Sequence, residues 1–146
     1  MSRRQDRERA FKIIFSVHFN AEPMQDAINS YFANFDDCDE TIDAPELEYV
    51  EKVCFGTHEH LSEIDALISK SAEGWDLERF SSVDLMILRV AVFEMLFIED
   101  IPVGVSVNEA VELAKVFSLD NSPSFINGVL SEISEIIGIG RKGHKK

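Results

Sequence analysis

Residues 82–98 restrict the fold more than any other stretch, because their apolar side chains cover every face of a helix. Asp84, Arg89 and Glu94 interrupt this apolar run. A helix of this length is roughly 25 Å long, which is too short and too charged to cross a membrane, so neighbouring helices must bury it. The sequence therefore predicts an all-α domain built around this helix, which opens with a capping signal at Ser81 and Asp84.

The composition fits one globular domain inside a cell. The chain has 146 residues, of which 45% are hydrophobic, enough to bury a core. There is no apolar segment suited to a signal peptide and no long uncharged apolar run, so we expect no membrane contact and a cytoplasmic location. Cys38 lies in an acidic stretch and Cys54 in a helical apolar pattern, which favours a reducing compartment over a disulfide.

Charge is distributed very unevenly along the chain. The formal net charge is -13, yet residues 1–12 carry five of the 14 basic residues and residues 141–146 carry four. Residues 13–140 carry five basic and 25 acidic residues. Because the basic ends attract phosphate and the acidic body repels it, any nucleic-acid contact is predicted to be confined to one patch.

Residues 3–19 are predicted to form an amphipathic helix. Arg3, Arg4 and Arg7 would face water on its polar side. The apolar side would contact a core through Ala10, Ile13, Ile14 and Val17. The alternative for the basic start of the chain is a frayed, solvated tail.

Helical periodicity continues along the rest of the chain. One pattern begins at Pro23, a residue suited to a first helical turn, and another begins at Glu46. Gly56 lies in the middle of the second pattern, which predicts either a kink there or two consecutive helices. C-terminal to the central helix, two further helices are predicted.

The two C-terminal helices have local start and stop signals. A second capping box, formed by Ser106 and Glu109, would open the first of them. The last helix would begin at Ser122 and end at Gly138. Gly128 inside it indicates the close approach of another helix.

Two groups of side chains have a superficial likeness to metal sites. Residues 36–43 hold five carboxylates but lack the Gly-centred turn and distal Glu of a calcium loop, so we interpret them as a solvated loop. Cys54 and His58 are four residues apart, and His60 is badly placed to join them. A buried thiol beside a partly exposed imidazole explains this pair better than zinc does, and the sequence predicts no metal and no cofactor.

Four blocks of sequence together have an order and spacing that are typical of one protein family. They are Trp75, Asp84 with residues 87–91, residues 108–115, and residues 125–130. In these blocks, and along its whole length, the chain resembles the NusB family of bacterial transcription antitermination factors. The last two blocks are the most specific in order and spacing.

The resemblance implies a particular architecture. The fold would be all-α, with about seven helices in two small antiparallel helical bundles packed into one NusB-like domain. Residues 1–138 would form this domain. Residues 139–146 would form a basic C-terminal tail.

The resemblance also implies a function. Members of the family pair with NusE, a small-subunit ribosomal protein, and the pair binds the boxA element of nascent RNA. The complex helps RNA polymerase read through terminators, chiefly in ribosomal RNA operons. By this resemblance the chain is a noncatalytic RNA-binding adaptor, and a homodimer stays open.

Family roles can be carried over to this chain by position. The RNA-binding residues would be Arg3, Arg4, Arg7, Arg9, Asn121, Ser122, Ser124 and Phe125. Phe15 and Asp84 would contact NusE, a basic protein that an acidic body should attract. Two positions depart from the family pattern, because Phe93 stands where Tyr is common and Asn121 stands where an acid is common.

Several of these residues also have purely structural interpretations. Phe125 fits a core position as well as an RNA contact, and Trp75 fits a large core residue. Asn108 is expected to hydrogen-bond the backbone at a helix junction. A charged Arg89 in an apolar helix requires a carboxylate partner. The candidates are Glu94, Glu109 and Glu112.

Two other functions fit parts of the sequence. NusB-like domains also occur fused to RNA methyltransferases, so the chain could be an RNA-binding module that acts with a separate methyltransferase. A catalytic half would need a Gly-rich strand-to-helix turn and a catalytic cysteine, for which we find no sequence signal. The other alternative is a helical scaffold that docks basic ribosomal proteins without RNA, which a salt-dependent shift with boxA RNA would distinguish.

Overall fold

Seven helices make up the described part of the chain. The structure is a computed structural model that describes residues 3–33, 44–72 and 80–145. Its helices are α1 (Arg3–Asn20), α2 (Met24–Ala33), α3 (Ala44–Glu59), α4 (Leu61–Ser71), α5 (Ser82–Phe97), α6 (Val103–Phe117) and α7 (Ser122–Lys145). No strand occurs in these residues, so the all-α prediction with about seven helices is confirmed. Within the same residues, no helix is long and apolar enough to span a bilayer.

The helices divide into two compact units, Met1–Glu59 and His60–Lys146. The first unit contains α1, α2 and α3, and the second contains α4, α5, α6 and α7. The predicted division into two small helical bundles is therefore confirmed. Trp75 and residues 36–43, which were assigned a core and a loop role from the sequence, lie outside the described residues.

In the first unit, α1 packs against both α2 and α3. Ala10, Ile13 and Ile14 are buried on α1 as predicted, whereas Val17 is only half-buried. Each Å² of apolar surface removed from water contributes about 25 cal/mol of stability. Burial of this stripe therefore holds the three helices together. The thiol of Cys54 on α3 lies 3.9 Å from the carbonyl oxygen of Ala10 and donates to it.

The connection between α1 and α2 is tight. The N–H of Ala21 donates to the carbonyl of Val17, with an N···O distance of 2.8 Å, and Ala21 has a positive φ of 53°. This left-handed residue ends α1 in the way that glycine usually ends a helix. The carbonyl of Pro23 then accepts the N–H of Ala27, so the helix predicted from Pro23 begins where the sequence placed it.

In the second unit, α5 is the central helix. Eleven of its residues are buried, and it packs against α4, α6 and α7. The prediction that a helix apolar on every face must be wrapped by others is confirmed. Phe93, which stands where the family commonly has Tyr, is buried and contacts Phe97 at a centroid distance of 5.2 Å.

The partner predicted for Arg89 is wrong. Its guanidinium binds Asp65 of α4 through two hydrogen bonds, from Nε at 2.9 Å and from Nη2 at 2.8 Å. The acid suggested on the same helix, Glu94, is five residues away and lies on another side of α5. A fork-shaped guanidinium matches two carboxylate oxygens, so this bidentate pair ties α5 to α4.

The capping box predicted at Ser106 is also wrong. The first residue of α6 is Val103, and Ser106 lies one turn inside the helix. Its hydroxyl donates to Oε1 of Glu94, which is 0% exposed, at 2.8 Å. Leaving the buried carboxylate of Glu94 without a donor would cost more free energy than losing a helix cap. The contact between Ser106 and Glu94 therefore forms in place of the predicted local cap.

Three glycine-based expectations meet different outcomes. Gly56 lies inside α3, and the break between consecutive helices comes four residues later at His60. The close approach expected at Gly128 is wrong, since a Cβ there would meet nothing within 4 Å. The predicted end at Gly138 is wrong as well, because α7 continues to Lys145. A helix can continue through Gly138 because Gly weakens it by only about 1 kcal/mol and keeps its backbone N–H. Basic residues near the C-terminus of a helix also favour its continuation.

Candidate nucleic-acid interface

The four arginines assigned to RNA lie on the first two turns of α1, but they differ in exposure. Arg3 and Arg4 are exposed to solvent, as predicted. Arg7 and Arg9 are 5% and 6% exposed, so the prediction that Arg7 faces water is wrong. The second turn of α1 lies within packed protein, and its charges require local partners there.

Arg9 obtains such a partner from its own helix. Its Nη1 lies 3.1 Å from Oδ1 of Asp6, and both side chains are buried. The three-residue spacing places the two groups on one side of the helix. Arg9 therefore already contributes to the fold of the first unit, besides any contact that it makes with phosphate.

Arg3 is anchored rather than frayed. Its guanidinium carbon lies 4.2 Å from the centroid of the Tyr49 ring, and Tyr49 is buried on α3. A guanidinium over an aromatic face is held by the ring quadrupole while its N–H groups point outward. The solvated-tail interpretation does not describe Arg3, since this contact holds the start of α1 to α3.

The other predicted RNA residues cluster at the start of α7 in the second unit. Asn121 and Ser124 are exposed, whereas Ser122 is buried. Phe125 is half-buried. Its ring packs edge-to-face with the ring of Phe80, and the two ring centroids are 5.2 Å apart. Both sequence interpretations of Phe125 are therefore compatible with its position, which is neither fully core nor fully exposed.

A single carboxylate holds the segment in front of α7. The hydroxyl of Ser118 donates to Oδ1 of Asp84 at 2.6 Å, and the hydroxyl of Ser122 donates to Oδ2 at 2.9 Å. The two serine oxygens are themselves 2.9 Å apart. We call this arrangement of Asp84, Ser118 and Ser122 the carboxylate clamp; it joins the start of α5 to the end of α6 and the start of α7.

The predicted capping box at the start of α5 forms only in part. The hydroxyl of Ser81 accepts the backbone N–H of Asp84 at 3.0 Å, as predicted. The Asp84 side chain is instead directed to the carboxylate clamp, where each of its oxygens accepts one serine hydroxyl. Sequence reasoning missed Ser118 entirely, since nothing local distinguishes it from any other loop serine.

The two residues assigned to the protein partner have unlike surroundings. Phe15 is half-buried and stacks on Phe19 at a centroid distance of 5.6 Å, with an angle of 12° between the rings. Phe19 is 71% exposed, so α1 presents aromatic surface to solvent. Asp84 is 8% exposed and already accepts two hydrogen bonds.

The remaining candidate for chemistry, Cys54, is poorly suited to catalysis or metal binding. Burial raises the pKa of its thiol far above the ordinary value, and the negative charge of Glu51 raises it further. A thiol that stays protonated at neutral pH is a weak nucleophile and a weak ligand. In the described ranges, no group of three or more His, Cys, Asp or Glu residues could hold a metal ion.

The sequence model of the NusB family matches residues 4–135, which include α1 except its first residue and also include the start of α7. The chain belongs to the NusB family. A relative from Clostridium novyi, transcription antitermination protein NusB, is 41% identical over 133 residues, which cover 91% of this chain and 98% of the relative.

Solved NusB structures share the fold. The structure of T. maritima NusB matches with a TM-score of 0.82 and 38% identity, covering 92% of each chain. A chain from a structure of antitermination factors NusB and NusE in complex with dsRNA matches with a TM-score of 0.80. It is 24% identical and covers 93% of this chain and 99% of that one, so its likeness shows the shared NusB fold.

Proposed function

We propose that this protein is a noncatalytic transcription antitermination factor. It binds boxA-type nascent RNA together with NusE and supports RNA polymerase on ribosomal RNA operons, in the cytoplasm. The observation that carries the proposal is 41% identity, over nearly the full length of both chains, to a protein named transcription antitermination protein NusB. The family match over residues 4–135 supports treating residues 1–138 as the functional domain and residues 139–146 as a basic extension.

The RNA contacts of the first unit fall on α1. Arg3 and Arg4 carry exposed guanidinium groups suited to phosphate binding, and Arg3 is pre-positioned by Tyr49. Arg7 and Arg9 are part of the same proposed contact, although their burial limits how far their charges reach solvent. In the second unit, Asn121, Ser122, Ser124 and Phe125 provide polar groups and one aromatic face for single-stranded bases.

The proposed contact with NusE uses Phe15 and Asp84. Exposed aromatic surface is typical of the centre of a protein interface, and the Phe15–Phe19 stack offers it on α1. The acidic body would steer a basic ribosomal protein toward this chain. A structure that contains a NusB chain with NusE and dsRNA gives this pairing a precedent within the fold.

A binding assay with boxA RNA tests the proposal. Labelled boxA RNA is titrated with the purified protein, with and without NusE, over a range of salt concentrations. We expect weak binding alone, tighter binding with NusE, and an affinity that falls steeply as salt increases, because phosphate binding releases counterions. NusE binding without any RNA binding would instead support the protein-docking scaffold.

Arginine variants locate the RNA contact. Replacing both Arg3 and Arg4 by Ala should reduce the log–log salt slope by roughly 0.7 for each phosphate that the variant no longer neutralises. Loss of the Arg3–Tyr49 contact should lower stability by about 0.5–1 kcal/mol, which leaves the protein folded. Arg9→Ala should lower stability, since it removes the ion pair with the buried Asp6. Lys70→Ala, an exposed basic residue on α4, is the matched control and should bind RNA like the wild type. An unchanged slope in the double variant would contradict the assignment of these arginines.

A further inference from the structure

The three residues between the clamped serines form a short exposed bridge. Ser118 is the C-cap of α6 and Ser122 is the first residue of α7. Leu119, Asp120 and Asn121 between them are exposed, and Leu119 is 71% exposed. A bridge with so little burial has few contacts of its own, so its conformation depends on how its two ends are held.

Both ends of this bridge depend on the same side chain. Each oxygen of Asp84 accepts one serine hydroxyl, and the carboxylate is 8% exposed. Hydrogen bonds to an ionised acceptor that is largely shielded from water are about twice as strong as neutral ones. A backbone bond, from the N–H of Ser122 to the carbonyl of Leu119 at 3.0 Å, closes the turn inside the clamp.

We propose that Asp84 and Ser118 are positioning residues for RNA binding. They hold the bridge in the conformation that presents Asn121 and the start of α7 to the RNA, and they do so without touching the RNA themselves. This inference rests on the proposed function. Its physical content is pre-organisation: RNA need not order a segment that the carboxylate clamp has already ordered.

Ser118 is the residue on which to test this inference, because it belongs to neither the proposed RNA contact nor the proposed NusE contact. Ser118→Ala removes the hydroxyl that bonds Asp84, whereas Ser118→Thr keeps a hydroxyl. The extended backbone of Ser118, with φ of -119°, suits the β-branched threonine. Ser131→Ala, an exposed serine on α7, is the matched control for loss of a hydroxyl.

The measurement is boxA RNA affinity of the isolated protein at several salt concentrations, together with amide hydrogen exchange at residues 119–122. For Ser118→Ala we expect about tenfold weaker RNA binding at every salt concentration, with the log–log slope of the wild type. Exchange of the bridge amides should be faster. Ser118→Thr and Ser131→Ala should behave like the wild type in both measurements.

Each outcome decides between support and failure. If the wild type binds RNA and Ser118→Ala binds equally well, the positioning role is overturned while the proposed function stands. If the wild type does not bind boxA RNA, the proposed function fails and the inference fails with it. If Ser118→Ala folds poorly, Asp84→Ala provides the second variant, because it removes both oxygen acceptors of the clamp while the backbone N–H of residue 84 can still bond Ser81; wild-type RNA affinity in Asp84→Ala would overturn the inference.

Discussion

Ala21 lies in the left-handed region of backbone conformation, with φ of 53°. For a residue with a Cβ this region costs roughly 1–2 kcal/mol, because the Cβ approaches the following carbonyl oxygen. The turn from α1 into α2 nevertheless requires it, since α2 begins three residues later. Packing of α2 on α1 therefore sustains a small local strain at this position.

Ala21→Gly should relieve this strain. We expect the free energy of unfolding to rise by up to about 1 kcal/mol, reduced by the greater freedom of glycine in the unfolded chain. Denaturant titration followed by circular dichroism measures the change. Ala66→Gly, in the exposed middle of α4, is the control and should instead lower stability by about 1 kcal/mol. Equal losses at both sites would show that Ala21 is unstrained.

Phe125 should affect both stability and RNA binding. Its ring is half-buried against Phe80, so Phe125→Ala should cost less than the 3–5 kcal/mol expected for a fully buried ring, about 1–2 kcal/mol. Loss of a base-stacking face should weaken RNA affinity by about 1–3 kcal/mol. Thermal melting and RNA titration of one variant measure the two effects.

Phe80→Ala provides the comparison for Phe125. It removes the same edge-to-face contact but leaves the Phe125 ring in place for RNA. We therefore expect a comparable loss of stability and a smaller loss of RNA affinity. Identical losses of RNA affinity in the two variants would identify Phe125 as a structural residue only.

At the scale of secondary-structure elements, the Arg89–Asp65 pair is the main polar link between α5 and α4. The Arg89 and Asp65 side chains are 12% and 23% exposed, so solvent screens the pair only partly. Both hydrogen bonds are short, and the guanidinium engages both carboxylate oxygens. Removing either residue would leave the charge of the other partly buried without its partner.

Asp65→Ala should therefore destabilise the protein by about 2–3 kcal/mol. Arg89→Met combined with Asp65→Leu should recover much of this loss, because no charge is then left without its partner. The exposed Lys115–Glu112 pair on α6 is the control, and Lys115→Ala should change stability by less than about 0.5 kcal/mol. Unfolding midpoints of the four proteins measure these differences, and a loss in Asp65→Ala as small as the control's would refute the link.

At the scale of the whole molecule, the charge distribution fits a protein with two different ligands. Basic residues gather at the two ends of the sequence, and the intervening chain is strongly acidic. An acidic body repels nucleic acid and attracts a basic protein, so exposed arginines such as Arg3 and Arg4 can bind RNA while acidic residues attract NusE.

NusE and RNA should be thermodynamically linked. If NusE tightens RNA binding by some factor, RNA must tighten NusE binding by the same factor. Calorimetric titration of each ligand in the presence and absence of the other measures both factors. Phe19→Ala should reduce NusE affinity without changing the RNA affinity of the isolated protein, because Phe19 is exposed next to the proposed partner residue Phe15. If isolated Phe19→Ala bound RNA more weakly than the wild type, the assignment of Phe19 to the NusE contact alone would be contradicted.

The fold class and most helices follow from local sequence patterns alone. Apolar periodicity predicts helices without knowledge of what they touch, and residues 82–98 could only be a buried helix because no face of it is polar. Helix starts at Pro23, Ser82 and Ser122 were predicted to within one residue, since proline and serine act on the backbone of their own turn. The order of the family-like blocks supplied the family.

Which polar groups meet depends instead on how the helices pack. Arg89 and Asp65 are 24 residues apart, and Ser106 and Glu94 are 12 apart. Ser118 and Ser122 are 34 and 38 residues from Asp84. For Ser106 and Asp84, local signals predicted capping partners because they rank neighbours by spacing along one helix. For Arg89, the predicted carboxylates lay on α5 and α6, and the sequence did not indicate Asp65 of α4. A buried charge instead pairs with the group that helix packing brings close to it. In the protein interior this pairing contributes more stability than a cap at a solvated helix end.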